Sequence, residues 1–145
     1  MQGMIIEAAG DADMAHLCAL FNSARASNGS FPGRAYALDA FANAIEGECL
    51  LVGRIAGEIA GFASVWVPDA FVHHLYVAPR FQRQGVGRAL LDHCVSRFGL
   101  PMSLKCLAAN STACRFYERQ GWQIVERADG DEGPYFLYVS DTGAS

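Results

Sequence analysis

At 145 residues, 52% of them hydrophobic, the chain is long enough to bury one sizeable core and too short for two ordinary domains. Eleven Lys plus Arg against fifteen Asp plus Glu give a net charge of −4, which argues against general binding to nucleic acid or to an anionic membrane. The five cysteines show no C-x-x-C spacing, and Met1–Ala9 lacks a basic leader, so the reading is a cytoplasmic protein with reduced core cysteines.

Met4–Ala8 predicts a first strand. Asp11 is placed to cap the next element, where Met14, Leu17, Cys18 and Phe21 recur at i, i+3, i+4 and i+7 and predict an amphipathic helix over Asp13–Ala26. Ser27–Arg34 is rich in turn formers and is a candidate substrate lid, with an exposed connector pinned by Phe31 as the competing reading. Leu38, Phe41, Ala42 and Ile45 predict a short second helix. Two apolar runs, Cys49–Ile55 and Ile59–Val67, flank the hairpin signal Ala56-Gly57-Glu58, and Pro68-Asp69 turns the chain into a strand over Val72–Val77. Three antiparallel strands are expected from this stretch.

Ala78-Pro79 ends the third of them, because proline cannot donate to the next ladder rung. Val86, Leu90, Leu91, Cys94, Val95 and Phe98 then recur with helical period, and Gly99 and Pro101 supply the stop. Met102, Leu104 and Cys106 alternate with Ser103 and Lys105, which predicts a strand that the crossover helix lays parallel to Val72–Val77. Asn110-Ser111-Thr112 caps a last short helix through Arg119, with Gly121 at its end. Trp122–Glu126 and Tyr135–Val139 are expected to close the domain as a hairpin around an acidic loop, Asp129–Gly133. Residues 140–145 read as a frayed tail.

The start of the central helix carries the chemistry. Where Ser, Thr, Asp or Asn would ordinarily satisfy the first free N–H groups, the chain offers Gln82-Arg83-Gln84-Gly85-Val86-Gly87. Gly85 and Gly87 let a ligand approach the backbone, and open N–H groups at the positive dipole end suit a phosphate or pyrophosphate. Between Val72 and Leu91 there is no Asp or Glu, while Arg80, Arg83 and Arg88 are present, so the local field favours an anion. The competing reading is a glycine turn that only lets a strand pack on a helix. A dinucleotide fingerprint would need glycine at Leu90, and a P-loop would need Gly-Lys-Ser/Thr.

The stretch LYVAPRFQRQGVGRALL resembles the acyl-CoA-binding motif of the GNAT superfamily of N-acyltransferases, with Gln82, Gly85 and Gly87 at the signature positions. Asn110–Trp122, NSTACRFYERQGW, resembles the second half of that family's site. The resemblance implies that Leu75, Tyr76 and Val77 lend backbone groups to the pantetheine arm, that Gln82, Arg83, Gln84, Gly85, Val86, Gly87 and Arg88 hold the pyrophosphate, that Asn110 hydrogen-bonds the pantetheine, and that Tyr117 faces the sulfur. It implies acetyl-CoA as cosubstrate and no metal.

Acyl transfer from a thioester to an amine needs a neutral nucleophile, donors for the oxyanion and a proton for the departing thiolate. A phenol with a reference pKa of about 10, beside a thiol value of about 8.5, keeps its proton at neutral pH and can give it up, which suits Tyr117 as general acid. Strand side chains alternate, so His73 and His74 are expected on opposite faces, with His73 sharing the face of Leu75 and Val77. In the family that strand often carries a Glu or His that accepts the amine proton, directly or through water, so His73 is the candidate base. A half-buried structural histidine is the competing reading.

The fold expected is a single α/β GNAT-like domain over residues 1–145: a mixed, twisted sheet of six to seven strands with about four helices and a central splayed parallel pair. The expected activity is transfer of an acetyl group to a primary amine of a small molecule or peptide by direct attack. A non-catalytic acyl-CoA-binding domain is the alternative, and a thiol-acylated enzyme using Cys106 has no support beyond one cysteine. Phe31, Tyr36, Trp66 and Asp69 are candidates to line the acceptor pocket, and a homodimer through an edge strand or the terminal hairpin is left open.

Overall fold

The computed structural model describes residues 3–28 and 35–140. Strand β1 (Met4–Ala8) leads through a 3-10 turn into helix α1 (Met14–Asn28), followed by helix α2 (Leu38–Ala44), β2 (Cys49–Ile55), β3 (Glu58–Trp66) and β4 (Phe71–Val77). Then come α3 (Val86–Phe98), β5 (Met102–Leu107), α4 (Ser111–Arg119), β6 (Gln123–Gly130) and β7 (Gly133–Ser140). All seven strands lie in one sheet, in the order β1-β2-β3-β4-β5-β7-β6. The expected mixed sheet with four α-helices and a parallel pair is what forms among the described residues.

Most boundaries follow from local chemistry. The β2–β3 hairpin turns on Ala56 and Gly57, both at positive φ (52° and 82°), the conformation a two-residue type I′ turn demands. Three details differ from expectation. Asp13, not Asp11, secures the first helical turn: its carboxylate accepts from the Gly10 N–H at 2.9 Å and pairs with Arg54 at 2.8 Å. Those two contacts, the Gly10 bond first, hold its carboxyl below the usual range. The terminal hairpin runs almost to its tip, with Gly130 opposite Gly133, so most of the expected acidic loop is strand. Ser140 is buried and pairs with Met102, so β7 extends through a position expected to fray. The candidate lid at Ser27–Arg34, with Phe31, falls largely outside the described residues; only the backbone of 27 and 28 is placed, at the end of α1.

The two faces of the sheet are covered differently. Leu17, Phe21, Phe41 and Val52 bury one cluster under α1 and α2, while Val86, Leu90 and Leu91 of α3 pack on the other face. All five cysteines are free; four are buried and Cys49 is half-buried.

The feature that makes room for function is the β4–β5 join. Its parallel register holds only Phe71 opposite Ser103 and Val72 opposite Leu104. Beyond that point β4 pairs only with β3, and β5 only with β7. The sheet therefore opens as a V between the C-terminal halves of β4 and β5, leaving one edge of each without a ladder partner.

Candidate active site

Helix α3 begins without a side-chain cap. Gly85 sits at φ 81°, ψ 11°, the left-handed region that side chains with a Cβ avoid, and nothing lies within 4 Å of where its Cβ would be. Its carbonyl accepts the first helical bond, from Ala89 at 3.0 Å. The N–H groups of Val86, Gly87 and Arg88 are thus the free donors of the first turn, aimed out of the helix end into open space. Gln82 and Gln84 fold back onto the loop's own carbonyls, Gln82 Nε2 donating to Val77 O at 3.4 Å and Gln84 Nε2 to Arg80 O at 3.2 Å. The Val86 side chain is core, so only its backbone can serve a ligand.

The arginines are less available than their count suggests. Arg80 pairs with Glu58 from the neighbouring hairpin, and Arg88 lies 3.8 Å from Asp92 one turn on. Arg83 makes no ion pair among the described residues. Anion affinity here rests chiefly on the helix end.

Gly87 has a second constraint. A Cβ there would come within 3.2 Å of Phe116 Cζ, so the missing side chain lets α4 press against the first turn of α3. Phe116 adjoins Tyr117, which is 8% exposed and ringed by Phe116, Trp122 and Tyr138. Burial pushes the Tyr117 phenol well above its ordinary value, helped by Cys106 on β5 and Tyr76 on β4, so it keeps its proton. Asn110 caps α4 by accepting from the Ala113 N–H at 3.2 Å, which commits its Oδ1 and leaves its amide Nδ2.

The other mouth of the V departs from the sequence reading. Pairing between β3 and β4 passes from Ser64–His74 to Val65–Val72, so His73 is the extra residue of a β-bulge. The bulge cancels the alternation: His73 and His74 stack with ring centroids 4.0 Å apart instead of taking opposite faces. Leu75 and Val77 pack toward α3, whereas His73 faces the other side, beside Phe71 and Glu48. His73 Nδ1 lies 2.5 Å from Glu48 Oε2, and the Glu48 side chain is only 7% exposed. His74 packs edge-on against Phe21, and burial holds its imidazole down to about 3.

Arg25 of α1 reaches across this mouth to Glu132 in the β6–β7 turn at 2.9 Å, over the rings of Phe21 and Tyr36. The backbone of Tyr36 is held by Asn22 through bonds of 2.7 and 2.8 Å. Trp66 is half exposed over Gly47, next to Glu48, while Asp69 sits in the exposed turn before β4. Glu48, Asn22 and Glu132 carry no sequence signal of their own. Arg25 does, as a cation four residues after Phe21 on the apolar stripe of α1.

Cys106 and Cys114 lie 3.7 Å apart, and burial pushes the Cys106 thiol upward, which keeps it a thiol and removes the support for it as a nucleophile.

A mixed sheet parted at one parallel pair, with an uncapped helix start beside the opening and a buried tyrosine on the following helix, defines a single-sheet α/β fold of the acetyltransferase type. Residues 16–122 match the model of the Acetyltransferase (GNAT) family, and the chain belongs to that family. It is 36% identical over 76 residues to a peptidyl-lysine N-acetyltransferase, YiaC, of Escherichia coli K12, covering 52% of this chain and 51% of that protein. It is also 36% identical over 72 residues to the ribosomal protein bS18-alanine N-acetyltransferase of the same organism, covering 46% of this chain and 49% of the relative. The chain thus spans about half the length of the curated relatives it matches. Among solved structures, a GCN5-related N-acetyltransferase from Rhodopseudomonas palustris superposes with TM-score 0.81 at 19% identity, covering 97% of this chain and 98% of that one. The protein yncA of Salmonella typhimurium, solved with acetyl-CoA, gives a TM-score of 0.75 at 21% identity, covering 95% of this chain and 93% of that one. No helix among the described residues is long and apolar enough to cross a membrane.

Proposed function

We propose that this chain is a single-domain, cytoplasmic N-acetyltransferase that moves the acetyl group of acetyl-CoA to a primary amine by direct attack, with a peptide or protein amine as acceptor. The observation that carries the reading is the meeting of two features: free N–H donors at the start of α3, suited to a diphosphate, and the parted inner edge of β4, with Val77 of that strand and Phe116, the neighbour of Tyr117, both against Gly87. Family membership supports the cosubstrate, and the two curated relatives, named for lysine and alanine acceptors in proteins, support the acceptor class.

The donors of Val86, Gly87 and Arg88 fit a diphosphate, because Gly85 leaves open space beside them. Backbone groups of Leu75 and the Val77 N–H, which face away from β3, would hold an amide-bearing arm as a further strand would, while those of Tyr76 are directed at β3 and the Val77 carbonyl accepts from Gln82. The Nδ2 group of Asn110 is free to add a bond from the other side. Bound acetyl-CoA supplies the activated thioester. Tyr117, protonated throughout the working range, donates toward the sulfur as the thiolate leaves. His73, oriented by Glu48, accepts the amine proton directly or through water, from the face opposite α3. No step requires a metal.

Tyr117→Phe keeps the ring and removes the donor. With acetyl-CoA and a panel of lysine and N-terminal peptides read by mass spectrometry, kcat should fall about a hundredfold while coenzyme binding persists. An unchanged turnover would remove the acid role. Coenzyme binding by the wild type with no acetylated product from any amine would instead establish a non-catalytic binding domain.

A further inference from the structure

We propose that Glu48, His73 and His74 form a binding site for a divalent transition-metal ion of the zinc type at the acceptor mouth of the cleft. Each offers one ligand atom, and the three lie within 4.8 Å of one another. Ligands at zinc bond lengths near 2.0–2.1 Å stand roughly 3.4 Å apart around a tetrahedral ion, so small side-chain rotations complete the set. The β-bulge is what makes this set possible, since regular pairing would send consecutive histidines to opposite faces.

Two of the donor groups are otherwise unexplained. Glu48 Oε1 and His74 Nε2 are buried polar atoms with no hydrogen-bond partner. Buried polar atoms of that kind cost stability unless something satisfies them, and a cation between them does. His74 is suited to ligation because its Nε2 lies buried with no partner for an ion to displace. The contact between His73 Nδ1 and Glu48 Oε2 is the place where an ion substitutes for the shared proton. His73, 42% exposed, then carries its proton on Nε2, toward water.

Two imidazoles and one carboxylate favour zinc-type ions over magnesium or calcium, which take oxygen-rich shells. Three protein ligands also leave a coordination position open. The consequence for activity rests on the reading of His73 as the base: an ion there takes its lone pair and blocks the approach of the amine, so the metal inhibits rather than catalyses.

The experiment titrates Zn²⁺ by calorimetry into reduced, chelator-stripped protein, alongside His74→Phe and Glu48→Gln, with Co²⁺ as spectroscopic probe. A single equivalent should bind the wild type, and each variant should weaken binding by roughly tenfold to a hundredfold or more. Cobalt should show ligand-field bands without thiolate charge transfer, and Mg²⁺ should give no heat. Metal-free His74→Phe should acetylate as wild type does yet resist inhibition by Zn²⁺, whereas wild-type inhibition should be competitive with the amine. No Zn²⁺ heat, binding unchanged in both variants, or a thiolate-to-cobalt band would overturn the site. These readouts stand apart from the catalytic reading, whose failure would show as absent product in metal-free protein while zinc still binds.

Discussion

Replacing His74 with phenylalanine tests the physics of the acceptor mouth most directly. In the fold the imidazole titrates at about 3, chiefly because it is buried, with His73 and Arg25 adding repulsion. Unfolded, it titrates near 6.5. Between those values the unfolded chain binds the extra proton, so stability is fully present above about pH 6.5 and is lost as pH falls, at about 1.4 kcal/mol per pH unit. From pH 7.5 to pH 5 this one ring should cost the fold about 2 kcal/mol. His74→Phe removes that loss while keeping an aromatic ring against Phe21, and at pH 7.5 it also removes a buried nitrogen without a partner, a group that costs about 1–3 kcal/mol. Urea unfolding in chelator, followed by fluorescence of the buried Trp122 at the two pH values, measures both effects. If the variant loses as much stability on acidification as the wild type, the argument from burial is wrong.

Gly85→Ala should destabilise the fold by about 1–2 kcal/mol, because alanine must adopt φ near 81°, and should weaken acetyl-CoA binding more than tenfold; thermal melts and calorimetry read the two effects separately. Asn110→Asp keeps the acceptor that caps α4 and loses the amide donor, so stability should hold while the KM for acetyl-CoA rises; Asn110→Ala should lose about 1 kcal/mol as well. His73→Ala should lower kcat at least tenfold with little change in the KM for acetyl-CoA, and raising the pH, which frees more amine, should recover part of it. Equal kinetics for His73→Ala and wild type would move the base elsewhere.

The parts of the molecule that depend on neighbours in sequence were legible in the chain. Helical period, the Ala56-Gly57 turn, the Asn110 cap and the unusual start of α3 each state their structure within a few residues, and all four formed as read. The misreading that matters most for the site concerns pairing across the sheet. Whether His73 and His74 alternate depends on how Ser64 and Val65 meet β4, and no local pattern in VHHLYV announces an extra residue. Glu48 stands just before β2, 25 positions from His73 and in no motif that would point to it, and becomes significant only when the bulge turns His73 toward it. The arginines of the α3 loop have no acidic neighbour between Val72 and Leu91, but Asp92 follows one residue on and Glu58 comes from the β2–β3 hairpin, and folding brings both to them.

The contact of Phe116 with the bare backbone at Gly87 also limits how this molecule can be re-engineered. Because one aromatic edge fixes the spacing between the loop and the helix that carries the phenol, a coenzyme loop transplanted from a relative would need a matching residue at position 116. Without it the loop and the helix would pack at a different distance, and on the function proposed above the thioester would be presented out of line.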